Sequence, residues 1–329
     1  MIIPPKLKSW DEIRVIAPSQ SFAIISSEVR SVALQRFKEL WIKVSFGKNV
    51  EKIDQFLSSS VQDRIEDLHE AFADKNVKWI FTAIWWYNSH QILDYIDYDL
   101  ISNNPKILCW YSDITALCNA ITAKTWIITY SWPHFSTFGM KKYFDYTMEY
   151  FKKCIIQEWN FSIRPSDIYT DDERYIDQEN RKVFENNGYV IINPRQAQWK
   201  IIWWNSSSFG LLRGTQYMPD LQDSVIFLED DNVTWNNFCD FINRDLQALI
   251  HQKNFDKVRW LLIWRSQTST DFSIERLKAI IHSKKELDNI PVIANLDFGH
   301  TFPLITFPIW WEISIEALNN NVSIKILTH

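Results

Sequence analysis

Residues 106–121 read KILCWYSDITALCNAI: an apolar run, then Tyr111, Ser112 and Asp113, then apolar residues at helical spacing. A serine at the crest of a strand-to-helix turn presents its Oγ outward. The backbone N–H groups of the helix start then point at whatever that oxygen attacks, which is the layout of a nucleophile elbow. The same position also suits a helix N-cap, the more frequent employment of such a serine. Other chemistry-bearing side chains are scattered. Glu229 in IFLEDD is an ordinary strand-end carboxylate, and His300 in DFGHTFP is one of seven histidines, so neither stands out by spacing alone. His134 and Ser136 in WPHFSTF suit turn or core roles as well as chemical ones, and Arg213, Arg244 and Arg265 could each pair bidentately with a carboxylate. Cys109, Cys118, Cys154 and Cys239 form no C-x-x-C, which argues for reduced, buried thiols and against a zinc or dithiol site.

The elements around Ser112 alternate. IRVIAPS (13–19), WIFTAI (79–84), KILCWYS (106–112) and WIITYS (126–131) are short, apolar and rich in β-branched or aromatic residues, and read as buried strands. Residues 27–41, 60–75 and 113–124 carry apolar positions three and four apart, and read as helices. This β-α alternation predicts a parallel sheet covered on both faces. A polar stretch near 157–188 reads as a surface connection. Beyond it come strand patterns at 188–193, 199–205, 223–230, 258–264 and 290–297, two more at the C-terminal end, and helical patterns at about 206–217, 236–251 and 273–286. The expected organisation is an N-terminal domain at 1–165, a linker at 166–187, and a second, smaller, strand-rich α/β or barrel-like domain at 188–329.

A formal net charge of −5 offers no broad basic field, so nucleic acid and anionic membrane surfaces are poor candidate partners. No run reaches the ~18 apolar residues of a membrane span, and the first residues, MIIPPKLKSWDEIRVIAPS, lack the apolar core of a signal peptide. These features lead to the expectation of a soluble, cytoplasmic protein.

The chain holds 17 tryptophans and 6 glycines, where roughly 23 glycines would be ordinary for this length. Trp85, Trp86, Trp110, Trp203, Trp204, Trp310 and Trp311 end or break strand patterns, Trp132 precedes a proline, and Trp41 follows a helix. Such positions often require a positive φ or close backbone approach, and both favour a residue without Cβ. A left-handed backbone costs an L-residue about 1–2 kcal/mol, and overpacking adds roughly 1–3 kcal/mol. We therefore read most of these tryptophans as standing where the natural protein has glycine, the outcome expected if a gene that reads UGA as glycine is translated with UGA as tryptophan. With about 14 of the 17 so read, glycine returns to its ordinary abundance. AIWWYNS at 83–89 becomes AIGGYNS, a common strand-to-helix turn.

Read in that way, AIWWYNSHQIL, CWYSDITAL, TYSWPHFSTFGM, WKIIWWNSSSFGLLRGTQYMP, FLED and FGHTFPLITFPIWWEISI together resemble the LD-carboxypeptidase family of serine peptidases. Within it they are most similar to the branch containing the microcin C self-immunity peptidases. The resemblance runs in order through nearly the whole chain and departs systematically only at the tryptophans. It implies a flavodoxin-like N-terminal domain joined to a C-terminal domain, and a Ser–Glu–His triad falling on Ser112, Glu229 and His300. It further implies an oxyanion hole formed by the backbone N–H groups of Asp113 and Trp86. No cofactor or metal is implied, and a homodimer is compatible with it.

The implied substrate is a small peptide, a muropeptide or a peptidyl- or aminoacyl-nucleotide, cleaved at an amide near its C-terminus. The local motifs favour the microcin C-like branch over release of D-Ala from a murein tetrapeptide. The rival from another class is an inactive muropeptide- or carbohydrate-binding protein whose tryptophans form the platform. A flavodoxin-like nucleotide binder is weaker still, because the chain lacks G-x-G-x-x-G and the P-loop lysine pattern.

Overall fold

The structure is a computed structural model of the chain. It describes residues 1–329 except 85, 86, 111, 173–175, 232–236, 311, 319, 320, 328 and 329, and only the backbone at 110 and 195–207. The chain forms two compact units.

The first unit comprises residues 1–158 with 215–218 and 306–308. Its strands β1 (Glu12–Ile16), β2 (Lys43–Phe46), β3 (Val77–Thr82), β4 (Ile107–Trp110) and β5 (Tyr130–Ser131) form a parallel sheet in the order β2-β1-β3-β4-β5. Phe307–Pro308 adds an antiparallel edge against β5. This is the flavodoxin-like order. Helices α1 (Ser27–Glu39), α2 (Val61–Ala73), α3 (Tyr98–Asn103), α4 (Thr115–Thr125) and α5 (Asp145–Phe151) lie between or after the strands. Serines start α1 and α2: Ser26 Oγ accepts from Val29 N–H, and Ser60 Oγ accepts from Asp63 N–H, each satisfying one of the donors a helix start leaves open. β2 was not legible in the sequence because none of its residues is fully buried, so it lacks a hydrophobic stripe.

The second unit comprises 159–214, 219–305 and 309–329. It contains β6 (Phe161–Ile163), a ribbon of β7 (Ile168–Tyr169) and β8 (Phe184–Glu185), then β9 (Val190–Asn193), β10 (Arg195–Asn205), β11 (Ser224–Glu229), β12 (Trp260–Trp264), β13 (Val292–Leu296), β14 (Glu312–Leu318) and β15 (Asn321–Ile326). Eight of these form one mixed sheet, β6-β15-β14-β10-β11-β12-β13-β9, in which β10 to β13 run parallel. Among the described residues its two edge strands do not pair, so the sheet is open and the barrel-like alternative is set aside. The two units are nearly equal in size, because the second takes in residues 159–187 with their ribbon and edge strand. Helices α6 (Ser206–Gly210), α7 (Phe238–Ile250) and α8 (Ile274–His282) complete it. The helical pattern expected to 217 stops at Gly210, and the chain turns beyond it through Gly214 at φ 75°.

Five tryptophans, Trp10, Trp41, Trp126, Trp132 and Trp310, have φ between 58° and 75°, the region that β-carbons disfavour. Trp79, Trp260 and Trp264 are buried with indole N–H groups that have no hydrogen-bond partner among the described residues, although a buried indole N–H ordinarily finds one. Both observations fit glycine at such positions in the natural protein. Trp85, Trp86 and Trp311 lie outside the described residues.

Candidate active site

The turn after β4 is built from the strand outward. Ser112 opens a short turn, Ser112–Ile114, that runs directly into α4. Its φ is 60° and only 7% of its surface is exposed. A serine held left-handed at the carboxyl end of a parallel strand is a strained residue in the region where α/β folds place their ligands. α4 is buried on nearly every face, so the turn has little freedom to relax.

Asp113 fixes the other side of the turn. Its Oδ2 accepts from Ser19 Oγ at 2.7 Å and from Ser89 N–H at 2.9 Å, while Ser89 Oγ donates to the Asp113 carbonyl at 2.9 Å. Burial pushes the Asp113 carboxyl upward, and the bonds from Ser19 and Ser89 oppose that rise. Arg64, also buried, donates to the carbonyls of Pro18 and Asn88 and to Gln91 Oε1. Sequence reading missed Ser19, Arg64 and Ser89. Their only signal was position, each lying at or beside the carboxyl end of a strand or on a helix next to it.

In the second unit the structure brings two predicted residues together. Glu229 ends β11 with no exposed surface, and its Oε2 lies 2.8 Å from His300 Nδ1. A carboxylate only accepts, so Nδ1 carries a proton, and in the neutral imidazole Nε2 is the nitrogen that can accept one. Burial pulls the imidazolium down, but the charge and hydrogen bond of Glu229, helped by Asp231 and Asp230, outweigh it and raise His300 to about 9. Gly299 permits the approach. At φ 88°, a Cβ there would come within 2.9 Å of Trp264 Cδ1 and 3.2 Å of Glu229 Cβ. Asp297 anchors the loop, with its carboxylate accepting from Ser166 N–H and Oγ and from Arg265 Nη1 at 2.6 Å.

Arg265 spends its guanidinium on Asp297 and Asn295, so it is not poised for a substrate carboxylate. Arg213 donates to the Asp245 carbonyl, Arg244 lies exposed beside the Asp245 carboxylate, and His134 Nδ1 is 3.1 Å from Ser136 Oγ. Ser112 and Asp113 sit on the turn of the first unit, and Trp86 lies outside the described residues. Among the described residues no group of three or more His, Cys, Asp or Glu could hold a metal ion, and no helix is long and apolar enough to cross a membrane. The first unit thus holds a strained serine, and the second an imidazole oriented by a buried carboxylate.

Known proteins are similar to this chain over most or all of its length. A Bacillus subtilis protein named "Putative carboxypeptidase YocD" is 45% identical over 98% of this chain and 99% of its own. The Escherichia coli "Microcin C7 self-immunity protein MccF" is 28% identical over 86% of this chain and 83% of its own. The crystal structure of an MccF-like protein from Bacillus anthracis superposes with a TM-score of 0.98 at 48% identity, covering 100% of both chains. The LD-carboxypeptidase N-terminal domain profile matches residues 13–131 and the C-terminal domain profile matches 204–315; the chain belongs to the LD-carboxypeptidase family of peptidases.

Proposed function

We propose that the protein is a serine peptidase in which Ser112 is the nucleophile, His300 the base and Glu229 the group that orients the imidazole. The buried Glu229–His300 hydrogen bond carries the reading, since it leaves Nε2 as the proton acceptor and stabilises the imidazolium formed during catalysis. Ser112 Oγ attacks the amide carbonyl carbon as its proton passes to Nε2. The tetrahedral oxyanion is held by backbone N–H groups, of which we assign those of Asp113 and Trp86, the latter read as glycine. Collapse expels the amine, which takes the proton from Nε2. Water then attacks the acyl ester, with His300 again accepting and returning a proton.

The substrate proposed is a small peptide conjugate of the peptidyl- or aminoacyl-nucleotide type, cleaved at an amide near its C-terminus in the cytoplasm. Its support is the likeness to MccF, whose solved complexes include one with aspartyl sulfamoyl adenosine. A second reading is release of D-Ala from a murein tetrapeptide. It is supported by 28% identity over 98% of the chain to a Bacillus subtilis protein named "Probable murein peptide carboxypeptidase". The test is to express the chain with glycine at the tryptophan positions, with and without Ser112→Ala, and to assay both proteins on an aminoacyl sulfamoyl adenylate and a murein tetrapeptide. Loss of turnover on Ser112→Ala with an unchanged fold supports the mechanism, and equal turnover by both proteins refutes it. The preferred substrate decides between the two readings.

A further inference from the structure

The first unit has a cavity of about 550 Å³ at the amino ends of β1, β3 and β4, the end of the sheet opposite the Ser112 turn. Its walls carry five lysines, Lys6, Lys8, Lys75, Lys78 and Lys106, against one carboxylate, Asp11. Lys6 and Lys106 are more than nine-tenths buried. Lysine is almost never buried to that degree without a partner of opposite charge.

Neither has one. Lys6 Nζ donates to the Cys154 carbonyl at 2.6 Å and lies 5.5 Å from the centre of the Tyr130 ring. Lys106 Nζ donates to the carbonyls of Val77, at 2.8 Å, and Asp74. Lys78 also meets only a carbonyl, that of Lys75. Of the nearby carboxylates, Glu12 and Asp74 both pair with Arg14, Asp11 accepts from Lys8 N–H, and Glu158 acts on Lys6 without forming an ion pair with it. Burial lowers Lys6 to about 8, against the opposing influence of Cys154 and Glu158. Burial likewise lowers Lys106 to about 8, with Lys78 and Arg14 adding to the fall and Asp74 and Glu12 opposing it. Five lysines thus line this space against one carboxylate, and for the two buried ones desolvation outweighs the pull of the carboxylates around them.

We propose that this cavity binds a multiply charged phosphate-type anion of diphosphate size or larger. A bound anion would supply the missing countercharge. The lining cations are all lysines, compact point charges suited to the spread charge of phosphoryl oxygens, and none is the planar fork that favours a carboxylate. The volume exceeds what a single phosphate fills and falls in the ordinary range for small-ligand sites. Ligands of the peptidase reaction belong at the carboxyl ends of the strands, so this site is a separate one.

The test is calorimetric titration of the full chain with pyrophosphate at low salt, alongside inorganic phosphate and citrate. The expected result is saturable binding of one pyrophosphate, weaker binding of phosphate and citrate, and a loss of at least about tenfold in affinity in Lys6→Met/Lys106→Met. The exposed variants Lys8→Gln and Lys78→Gln, which leave the buried positions intact, should also weaken binding and carry the test if the double variant does not fold. Lys124→Met, which alters a lysine bound to Gln216 outside this cavity, should bind as the parent does. Absence of saturable pyrophosphate binding, citrate binding at least as tight, or unchanged affinity in the folded lysine variants overturns the proposal.

Discussion

Replacing Trp126 by glycine should stabilise the protein. Trp126 caps α4 with φ 60° and ψ 15°, its N–H donating to the Thr122 carbonyl, and 61% of its surface faces solvent. The left-handed conformation costs an L-residue about 1–2 kcal/mol, whereas the greater freedom of glycine in the unfolded chain returns only about 0.4–1 kcal/mol. An exposed indole has little packing to lose, so the net gain is about 1 kcal/mol, or roughly 2–4 °C in the midpoint of a unit this size. Trp126→Ala retains Cβ and should bring no comparable gain. The assay is thermal and urea unfolding followed by circular dichroism, with both variants against the parent. Destabilisation by glycine, or equal stabilisation by alanine, refutes the backbone argument and with it the reading of these tryptophans as displaced glycines. Trp10 and Trp41 should respond in the same direction, but their rings lie 5.2 Å apart, so the two substitutions should not be additive.

The raised His300 has consequences in pH. Its contribution to stability is fully present below the unfolded histidine value of about 6.5 and is lost as pH rises through about 9. Conversely, kcat/KM should climb toward about 9 as the imidazole becomes able to accept a proton, and Glu229→Gln should move the ascending limb of that profile to lower pH. Ser19→Ala removes one of the bonds to the buried Asp113 carboxylate and should cost about 1–3 kcal/mol in urea unfolding, with kcat falling more than KM changes if the turn positions Ser112. Gly299→Ala, forced to φ 88° with Cβ against Trp264 and Glu229, should cost at least about 1–2 kcal/mol and alter the His300 NMR resonances.

Much of this protein is encoded locally. Apolar runs and helical periods placed β1, β3, β4, α1, α2 and α4, because strands buried on both faces and amphipathic helices write their environment into consecutive residues. The turn at Ser112 was legible for the same reason: a strand, a break and a helix lie within a dozen positions. The excess of tryptophan at those breaks was visible without coordinates, since the demand for a residue lacking Cβ is local. Glu229 and His300 carried no such signal. Separated by 71 positions, they are joined only because β11 and β13 run parallel on either side of β12, ending Glu229 where the loop carrying His300 begins. The buried Asp113 network and the lysine cavity likewise arise from burial, which converts common polar residues into costly ones. Burial is a property of the packed sheet and not of any neighbourhood in the chain.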